Sequence, residues 1–270
     1  MLSTQERLEI FLEVLERVAP EMGARAMYNL NTPVRDINQS LSGLLERLSP
    51  LPPYSALIGM CEDGLPFLLD LSDTSPGSIL IIADEQSGQT RLLQTILESA
   101  CILNSPAKVV CSVISPNPGQ FESLEAMDNC RAILSTYDRA ASEMVVELAE
   151  LADQRIYGRN NGGVELLAID DLAAFVQNND HEINCYLKWL VAHGSQGAVW
   201  PISSIKMNQL WRIRDGMYEA FGTHFIGRVS TSQLPAGLGA APPHFEIPGV
   251  FSTLMDGEWI HFWVPERNSL

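Results

Sequence analysis

The stretch Ser78-Ile79-Leu80-Ile81-Ile82-Ala83-Asp84-Glu85-Gln86-Ser87-Gly88-Gln89-Thr90 decides the fold. An apolar run, a polar loop and the start of an amphipathic helix follow one another, which is the setting of a phosphate-binding loop. The motif of such a loop is G-x-x-x-x-G-K-[ST], and this chain has Ala83, four residues, Gly88, Gln89 and Thr90. The sequence therefore predicts a phosphate loop that lacks its lysine and its first glycine.

Each departure from the motif carries a physical cost. The usual lysine places a cation at the β- and γ-phosphates, whereas Gln89 offers hydrogen bonds without charge. Ala83 restricts a backbone that must curl around phosphate. Asp84 and Glu85 put negative charge beside the site and oppose a polyphosphate anion. The start of the helix still offers N–H groups and the positive end of its dipole.

The motif assigns nucleotide contacts to the end of the loop and the first turn of the helix. The expected nucleotide-binding residues are Ser87, Gly88, Gln89, Thr90 and Arg91, and the hydroxyl of Thr90 is an expected Mg²⁺ ligand. A second interpretation stays open, because any strand, turn and helix with a chance glycine gives a partial match.

A second motif follows about 80 residues later. The run Val164–Ile169 is mostly apolar and is followed by Asp170 and Asp171. Such a strand delivers an acid to the C-terminal edge of an open α/β sheet, where ligands bind. Asp170 is therefore the second expected Mg²⁺ ligand, directly or through water, and Asp171 stands at the general-base position. Asp170 and Asp171 are the expected catalytic residues if the site is active. The alternative for Asp171 is a cap on the following helix.

Apolar runs alternate with amphipathic helices through the middle of the chain. This alternation predicts an α/β fold of the P-loop NTPase (RecA-like) type, with a mostly parallel sheet and helices on both faces. The strand candidates are 78–83, 108–114, 130–134, 164–169 and 197–202, and the helix candidates are 88–103, 137–157, 171–178 and 181–193.

The N-terminal part has a helical pattern of its own. Apolar stripes in 3–19 and from Thr32 to Leu48 predict a helical hairpin, and prolines near residue 50 end it. We therefore expect an N-terminal helical segment, residues 1–50, ahead of one domain, residues 54–265.

Two β-hairpins are expected inside that domain. The runs 56–59 and 67–71 flank a Glu-Asp-Gly turn and predict an antiparallel hairpin that leads into the sheet. The runs 250–255 and 258–264 flank Asp256-Gly257, a strong signal for a hairpin at the C-terminal end of the domain.

Acidic residues outnumber basic ones, 33 to 17, and give a formal net charge of -16. Non-specific affinity for DNA comes mainly from Lys and Arg side chains that neutralise phosphates. The lysines of this chain are Lys108, Lys188 and Lys206. DNA binding by the isolated chain is therefore disfavoured. The 46% hydrophobic and 19% charged residues are typical of a globular protein with a sizeable core.

Cysteine usage and hydropathy favour a cytoplasmic protein that does not span a membrane. The five cysteines form no C-x-x-C pair, and most lie in apolar runs, as buried reduced thiols do. The N-terminus lacks the pattern of a signal peptide, and no apolar run reaches the roughly 18 residues of a membrane span. Zinc is not expected, because the sequence has no H-E-x-x-H motif or Cys/His cluster.

The order of these motifs resembles the FtsK/HerA group of P-loop ATPases, which includes DNA translocases and secretion ATPases. The resemblance covers about residues 54–265. Ile169-Asp170-Asp171-Leu172-Ala173 is similar to the family's Walker B run, and 56–71 to the short hairpin before the phosphate loop. Residues 222–229 resemble the strand after the sensor helix, and Pro242-Pro243-His244-Phe245 the closing strands.

The resemblance also marks a departure at the sensor strand. The family ends that strand with small-Thr-Gln, and the glutamine senses the γ-phosphate. Here Ser204 and Ile205 stand at those positions, and Ile205 cannot sense phosphate. Pro201 also removes a ladder donor from what should be an inner strand.

Three losses on one catalytic circuit predict a degenerate family member. We expect a catalytically weak or inactive structural or regulatory subunit of a homo- or hetero-oligomer, beside an active homologue in the second case. ATP and Mg²⁺ are its expected ligands, or none if the site is dead. The alternative is an active ATPase motor, like a DNA translocase, completed by a cationic residue of a neighbouring subunit. Arg155 and Arg159 are candidate arginine fingers, or simply a solvated helix end.

Overall fold

The computed structural model describes residues 40–213, 216–229, 247–255 and 257–266. Within these ranges, ten strands form one mixed sheet in the order β2-β1-β10-β9-β8-β3-β7-β6-β4-β5. The strands are β1 Ser55–Cys61, β2 Pro66–Asp70, β3 Ile79–Ala83, β4 Val109–Ser115, β5 Cys130–Ser135, β6 Val164–Ile169, β7 Val199–Lys206, β8 Thr223–Ile226, β9 Val250–Met255 and β10 Glu258–Trp263. The α/β fold expected from the sequence is confirmed.

The helices lie between these strands. They are α1 Leu41–Leu48, α2 Gln89–Leu103, α3 Glu122–Glu125, α4 Arg139–Ile156, α5 Leu172–Asn178 and α6 His181–His193. Short 3₁₀ turns at Pro118–Phe121, Gly194–Gly197 and Met207–Ile213 complete the connections.

The central part of the sheet is parallel. Strands β8, β3, β7, β6, β4 and β5 run in the same direction, with β3 between β7 and β8. Because their connections cross over through helices, both faces of these strands are covered. The carboxyl ends of β3, β4, β6 and β7 consequently meet at one edge, which is where the sequence motifs end.

Strict alternation along β3 divides the core into two layers. Ile79, Ile81 and Ala83 belong to a cluster with the apolar side of α2. Leu80 and Ile82 belong to a second cluster on the other face, with α4 and α6. Successive side chains of a strand point to opposite faces, so a continuous apolar run such as β3 requires cover on both sides. The pattern explains why the strand is fully buried.

The other side of the sheet is antiparallel. Both hairpins expected from the sequence are present, as β1 with β2 and β9 with β10. The first hairpin does not lie beside β3, although it precedes β3 in the chain. It joins the sheet through β10, where Met60 pairs with Trp263, and it forms the outer edge.

Strand β7 extends further than its apolar pattern predicted. The sequence candidate was 197–202, whereas the strand continues to Lys206 and pairs with β3 through Ala83. The extension contains two buried serines, Ser203 and Ser204. These polar side chains end the apolar run from which the strand was predicted. Pro201 lies within this inner strand, opposite Leu167 of β6.

Helix α1 packs on the sheet through four leucines. Leu41, Leu44, Leu45 and Leu48 are buried in a cluster that includes Leu57 and Met60 of β1. The rest of the expected N-terminal hairpin, and Pro242-Pro243-His244-Phe245, lie outside the described residues. The boundary between segment 1–50 and domain 54–265 stays a prediction. Among the helices that the structure describes, none has the length and apolar character needed to cross a membrane.

Replacing Gly59 with alanine is expected to destabilise the fold. A Cβ atom there would lie 2.5 Å from the Trp263 carbonyl oxygen and 2.9 Å from Phe262 Cδ2. Such overpacking typically costs about 1–3 kcal/mol, which urea unfolding monitored by circular dichroism would measure. Gly119→Ala is the matched control, since no atom of the described residues lies within 4 Å of its added Cβ. Equal stability of the two variants would contradict the close approach of β1 and β10 at Gly59.

Candidate functional site

The loop between β3 and α2 occupies the carboxyl edge of the parallel strands. Gln86 and Gly88 have positive φ angles of 59° and 96°, which turn the chain sharply into the helix. Gly88 is the N-cap residue of α2, and as a glycine it cannot cap the helix with a side chain of its own. Glycine suits this position, because other L-residues adopt such a φ value only with strain.

Thr90 and Asp170 are brought together, as expected if they share one metal ion. Thr90 Oγ1 lies 3.2 Å from each carboxylate oxygen of Asp170. The contact joins the first turn of α2 to the residue that follows β6. A serine or threonine hydroxyl and a carboxylate are the protein ligands for Mg²⁺ in P-loop sites, so this pair fits the ion.

Two further hydroxyls surround the same carboxylate. Ser204 Oγ of β7 donates to Asp170 Oδ1 at 2.7 Å, and Ser115 Oγ at the end of β4 lies 3.4 Å from Oδ2. Asp170 is only 7% exposed, and its burial raises the pKa of the carboxyl group against the opposing effect of these hydroxyl donors. A buried carboxylate held ready in this way is typical of a functional site.

Sequence reasoning missed Ser115, and it considered Ser204 only as a replaced sensor position. A usable signal existed for both. Each lies at or near the carboxyl end of an inner parallel strand, the edge at which Asp170 also lies. Polar residues at that edge are ligand-site candidates in open α/β sheets.

Gln89 directs its amide inward, to the backbone of two strands. Its Nε2 donates to the Ala83 carbonyl and to the Ile205 carbonyl, each at 2.9 Å. The amide therefore joins the ends of β3 and β7 beneath the loop. A side chain held this way supplies neither charge nor a free donor at the position where the motif has its lysine.

Ile205, at the family's sensor-glutamine position, does not direct its side chain to the site. Its side chain packs with Leu80 and Ile82 in the cluster on the other face of the sheet. The adjacent Ser204 faces Asp170 instead, because neighbouring residues of a strand point in opposite directions. Only the backbone carbonyl of Ile205 takes part in the site, through Gln89.

Asp171 caps helix α5, which is the alternative that the sequence left open. Its side chain accepts a hydrogen bond from the Ala174 N–H at 3.1 Å, and its φ angle is 60°. Its own N–H donates to Ser204 Oγ at 3.0 Å. The helix therefore engages Oδ1 of this carboxylate, and among the described residues no hydrogen bond from elsewhere holds the group as a general base.

Arg91 is occupied by the C-terminal part of the domain. Its guanidinium donates to the carbonyls of Val264 and Pro265 at 2.5 and 2.7 Å. Burial lowers its pKa from the usual value. The expected contact between Arg91 and nucleotide therefore finds no support in this geometry, since the side chain anchors α2 to the segment after β10.

Ser87 holds the loop to the same C-terminal region. It is fully buried, and its carbonyl accepts a hydrogen bond from the Gly249 N–H at 3.0 Å. The Ser87 hydroxyl lies 3.5 Å from the Arg228 carbonyl, a long contact. The residues just after β8 and just before β9 thus support the loop from one side.

The two arginines considered as arginine fingers differ in their surroundings. Arg155 has a side chain only 10% exposed, lies 3.9 Å from Glu165 and contacts the carbonyls of Gly197 and Ala198. It is a structural residue. Arg159 lies over the ring of the exposed Tyr157, at 5.6 Å from the centroid, outside the core.

Metal ligands in the described part of the chain are few. No group of three or more His, Cys, Asp and Glu side chains gathers there in a way that could hold an ion. A P-loop site does not require one, because Mg²⁺ takes one or two protein oxygens and completes its shell with phosphate and water. Thr90 and Asp170 are the residues that would hold it.

The sequence and the fold were compared with those of known proteins. No family model and no curated protein matches the sequence. Among solved structures, ATPases 2 and 3 of EccC from Thermomonospora curvata, in complex with a signal sequence peptide, match with a TM-score of 0.71 at 15% identity. That match covers 86% of this chain and 44% of the EccC chain.

Two other structures show the same fold. ATPases 2 and 3 of EssC from Geobacillus thermodenitrificans match with a TM-score of 0.69 at 15% identity, over 98% of this chain and 51% of that one. The pCW3 conjugation coupling protein TcpA, as a monomer with ATPγS, matches with a TM-score of 0.63 at 14% identity, over 85% and 70%. This chain spans about half the length of the EccC and EssC chains. Its fold is that of the FtsK/HerA-type P-loop ATPase domains.

Proposed function

We propose that this chain is a catalytically weak or inactive relative of the FtsK/HerA-type ATPases that serves as a structural or regulatory subunit of a larger assembly. The observation that carries the proposal is the amide of Gln89. Gln89 stands at the lysine position, and its amide nitrogen donates hydrogen bonds to the carbonyls of Ala83 and Ile205. A transferring phosphoryl group is stabilised almost entirely by positioned positive charge and metal ions, and Gln89 supplies no charge.

The other two positions expected to act in catalysis, Asp171 and Ile205, support the same conclusion. Asp171 is engaged as a helix cap, so no carboxylate next to Asp170 is held ready to orient an attacking water. The Ile205 side chain lies on the opposite face from the site. With these groups unavailable, the binding of nucleotide is better supported than its hydrolysis.

The Thr90 and Asp170 pair supports retained binding of ATP with Mg²⁺. A site without function would gain from losing a buried carboxylate, because burial of a charge is unfavourable without compensation. Three hydroxyl donors hold Asp170 instead. Thr90 and Asp170 would hold Mg²⁺, which would supply positive charge against the phosphates.

The assembly part of the proposal is supported by surface features and by the comparisons. Trp211 and Tyr137 are 61% and 62% exposed, and they follow the carboxyl ends of β7 and β5. Large exposed aromatic side chains are common at protein interfaces. The EccC and EssC structures also each contain more than one ATPase. We propose a homo- or hetero-oligomer that acts in the cytoplasm without binding DNA through the isolated chain, as the acidic balance indicates.

The alternative function is an active ATPase completed in trans. Arg159 is the arginine whose surroundings leave it accessible to such a role. In that case turnover would rise with protein concentration as neighbouring subunits meet, and Asp170→Ala would abolish it. That result would contradict the proposal of a weak or inactive subunit.

Gln89→Lys is expected to restore nucleotide affinity more than activity. A lysine at this position adds a charge-assisted contact, which is typically enough for about a tenfold gain in Mg-ATP affinity. Turnover should stay near background, because Asp171 remains a helix cap. Isothermal titration calorimetry and a coupled phosphate-release assay would measure the two quantities.

The control for added charge is Gln154→Lys, on the exposed side of α4. It should change neither quantity. Wild-type turnover at rates typical of ATPases, or an unchanged affinity in Gln89→Lys, would contradict the proposed reason for weak activity.

Asp170→Asn is expected to stabilise the nucleotide-free protein while removing Mg²⁺-dependent binding. Burial raises the pKa of Asp170 in the folded chain, so the folded state binds this proton more tightly than the unfolded state does. Stability is therefore lost as the pH rises from the unfolded pKa through the folded one. The variant avoids that loss, and its melting temperature should exceed the wild-type value by a few degrees at pH 7.

The stabilisation should disappear at a pH low enough to protonate Asp170 in both states. Asp128→Asn, at an exposed position, is the matched control and should leave the melting temperature unchanged. A variant that is less stable than the wild type at pH 7 would show that the hydroxyl contacts outweigh the cost of burying the charge.

A further inference from the structure

A lysine stands beside the phosphate loop, on the neighbouring strand. Lys206 is the last residue of β7 and pairs in register with Ala83, the last residue of β3. Its side chain lies on the same face of the strand as that of Ser204, two residues earlier. Ser204 contacts Asp170, which in turn contacts Thr90. Lys206 therefore shares the face of the sheet that carries the candidate metal ligands.

The ammonium group of Lys206 reaches the loop itself. Lys206 Nζ lies 3.3 Å from Glu85 Oε1, and the two side chains are 36% and 75% exposed. Glu85 is one of the loop residues between β3 and α2. The carboxylate of Glu85, an acid of the loop, is thus paired with the cation at the end of the neighbouring strand.

A second cation holds the same residue from the opposite strand. Arg228 follows β8, and its Nη2 donates to the Glu85 carbonyl at 3.0 Å. The Arg228 carbonyl accepts from the Asp84 N–H at 2.7 Å. Lys206 and Arg228 therefore flank the loop from the two strands that enclose β3, and the N-terminus of α2 lies between them without a side-chain cap.

From these contacts we infer that Lys206 replaces the missing loop lysine within the same chain, and that Glu85 competes with phosphate for it. The ligand class is the terminal phosphates of a nucleoside triphosphate or of an inorganic polyphosphate. This inference rests on the proposed function, since it assigns the cation of a site that binds nucleotide without efficient hydrolysis.

A polyphosphate can displace the Glu85 carboxylate from Lys206. Ion pairs between exposed side chains are weak, because water and salt screen them. A polyphosphate carries several negative charges and also accepts N–H donors at the start of α2. Glu85 can therefore be displaced, and the loop passes from an internally neutralised form to a form that binds the anion.

Binding of inorganic tripolyphosphate to four forms of the full chain tests the inference. The forms are wild type, Glu85→Gln, Lys206→Met and the double variant, measured by isothermal titration calorimetry at low ionic strength. Glu85→Gln should bind about fivefold more tightly than wild type, the size expected when an exposed ion pair no longer competes. Lys206→Met should bind more weakly, and Glu85→Gln should give a clearly smaller gain in the Lys206→Met background, where only the repulsion between Glu85 and the anion is removed.

Two variants control for net charge. Glu258→Gln, at the far end of β10 from the loop, and Lys188→Met, on α6, change the charge of the protein by the same amounts. Neither should reproduce the effect of the loop variants. Circular dichroism melts would verify that all forms are folded.

The outcomes separate this inference from the proposed function. A gain from Glu85→Gln that is equally large in the double variant, or equal gains from Glu258→Gln, would overturn the role of Lys206. Undetectable tripolyphosphate binding by Glu85→Gln would overturn it as well. None of these readouts depends on ATP turnover. The turnover rate is the separate measurement that tests whether the subunit is catalytically weak. Parallel titrations with ATP would distinguish a nucleotide site from a general polyphosphate site.

Discussion

The carboxylate of Asp170 is the constraint on which the rest of the site depends. It follows β6, and it accepts contacts from α2 through Thr90, from β4 through Ser115 and from β7 through Ser204. A buried charge must be matched by hydrogen-bond donors, so these elements are held at fixed positions relative to one another. The spacing of the parallel strands and the start of the helix are both tied to this one group.

Much of the fold could be predicted from the sequence, because a parallel sheet covered on both faces requires continuous apolar strands. β6 was predicted with its observed bounds, and α2 to within one residue at its start. The extent of β7 was not predictable in this way, since it contains two buried serines, Ser203 and Ser204, and the partner of the Ser204 hydroxyl, Asp170, comes from a distant part of the chain. The place of the β1 and β2 hairpin at the outer edge was also hidden, because strand order depends on long-range pairing that local patterns do not encode.

The candidate site was predictable in its residues and less so in their orientations. The motifs located Thr90 and Asp170, and the structure places them in contact. The direction of a side chain depends on strand phase, and a phase shift of one residue reverses it. For that reason Ile205 was taken as the residue at the sensor position, while Ser204 faces the carboxylate. Gln89 was correctly seen as uncharged, but its bonds to two strand carbonyls required the register of β3 and β7.

The hairpin of β9 and β10 is joined to the phosphate loop and to α2 at its open end, where Val250 pairs with Trp263. The N–H of Gly249, just before β9, bonds to the Ser87 carbonyl, and the carbonyls after β10 bond to Arg91 of α2. The position of this hairpin end is consequently coupled to the backbone at Ser87 and to the first turn of α2. A shift of the hairpin end would therefore alter the phosphate loop without any change in the order of the parallel strands.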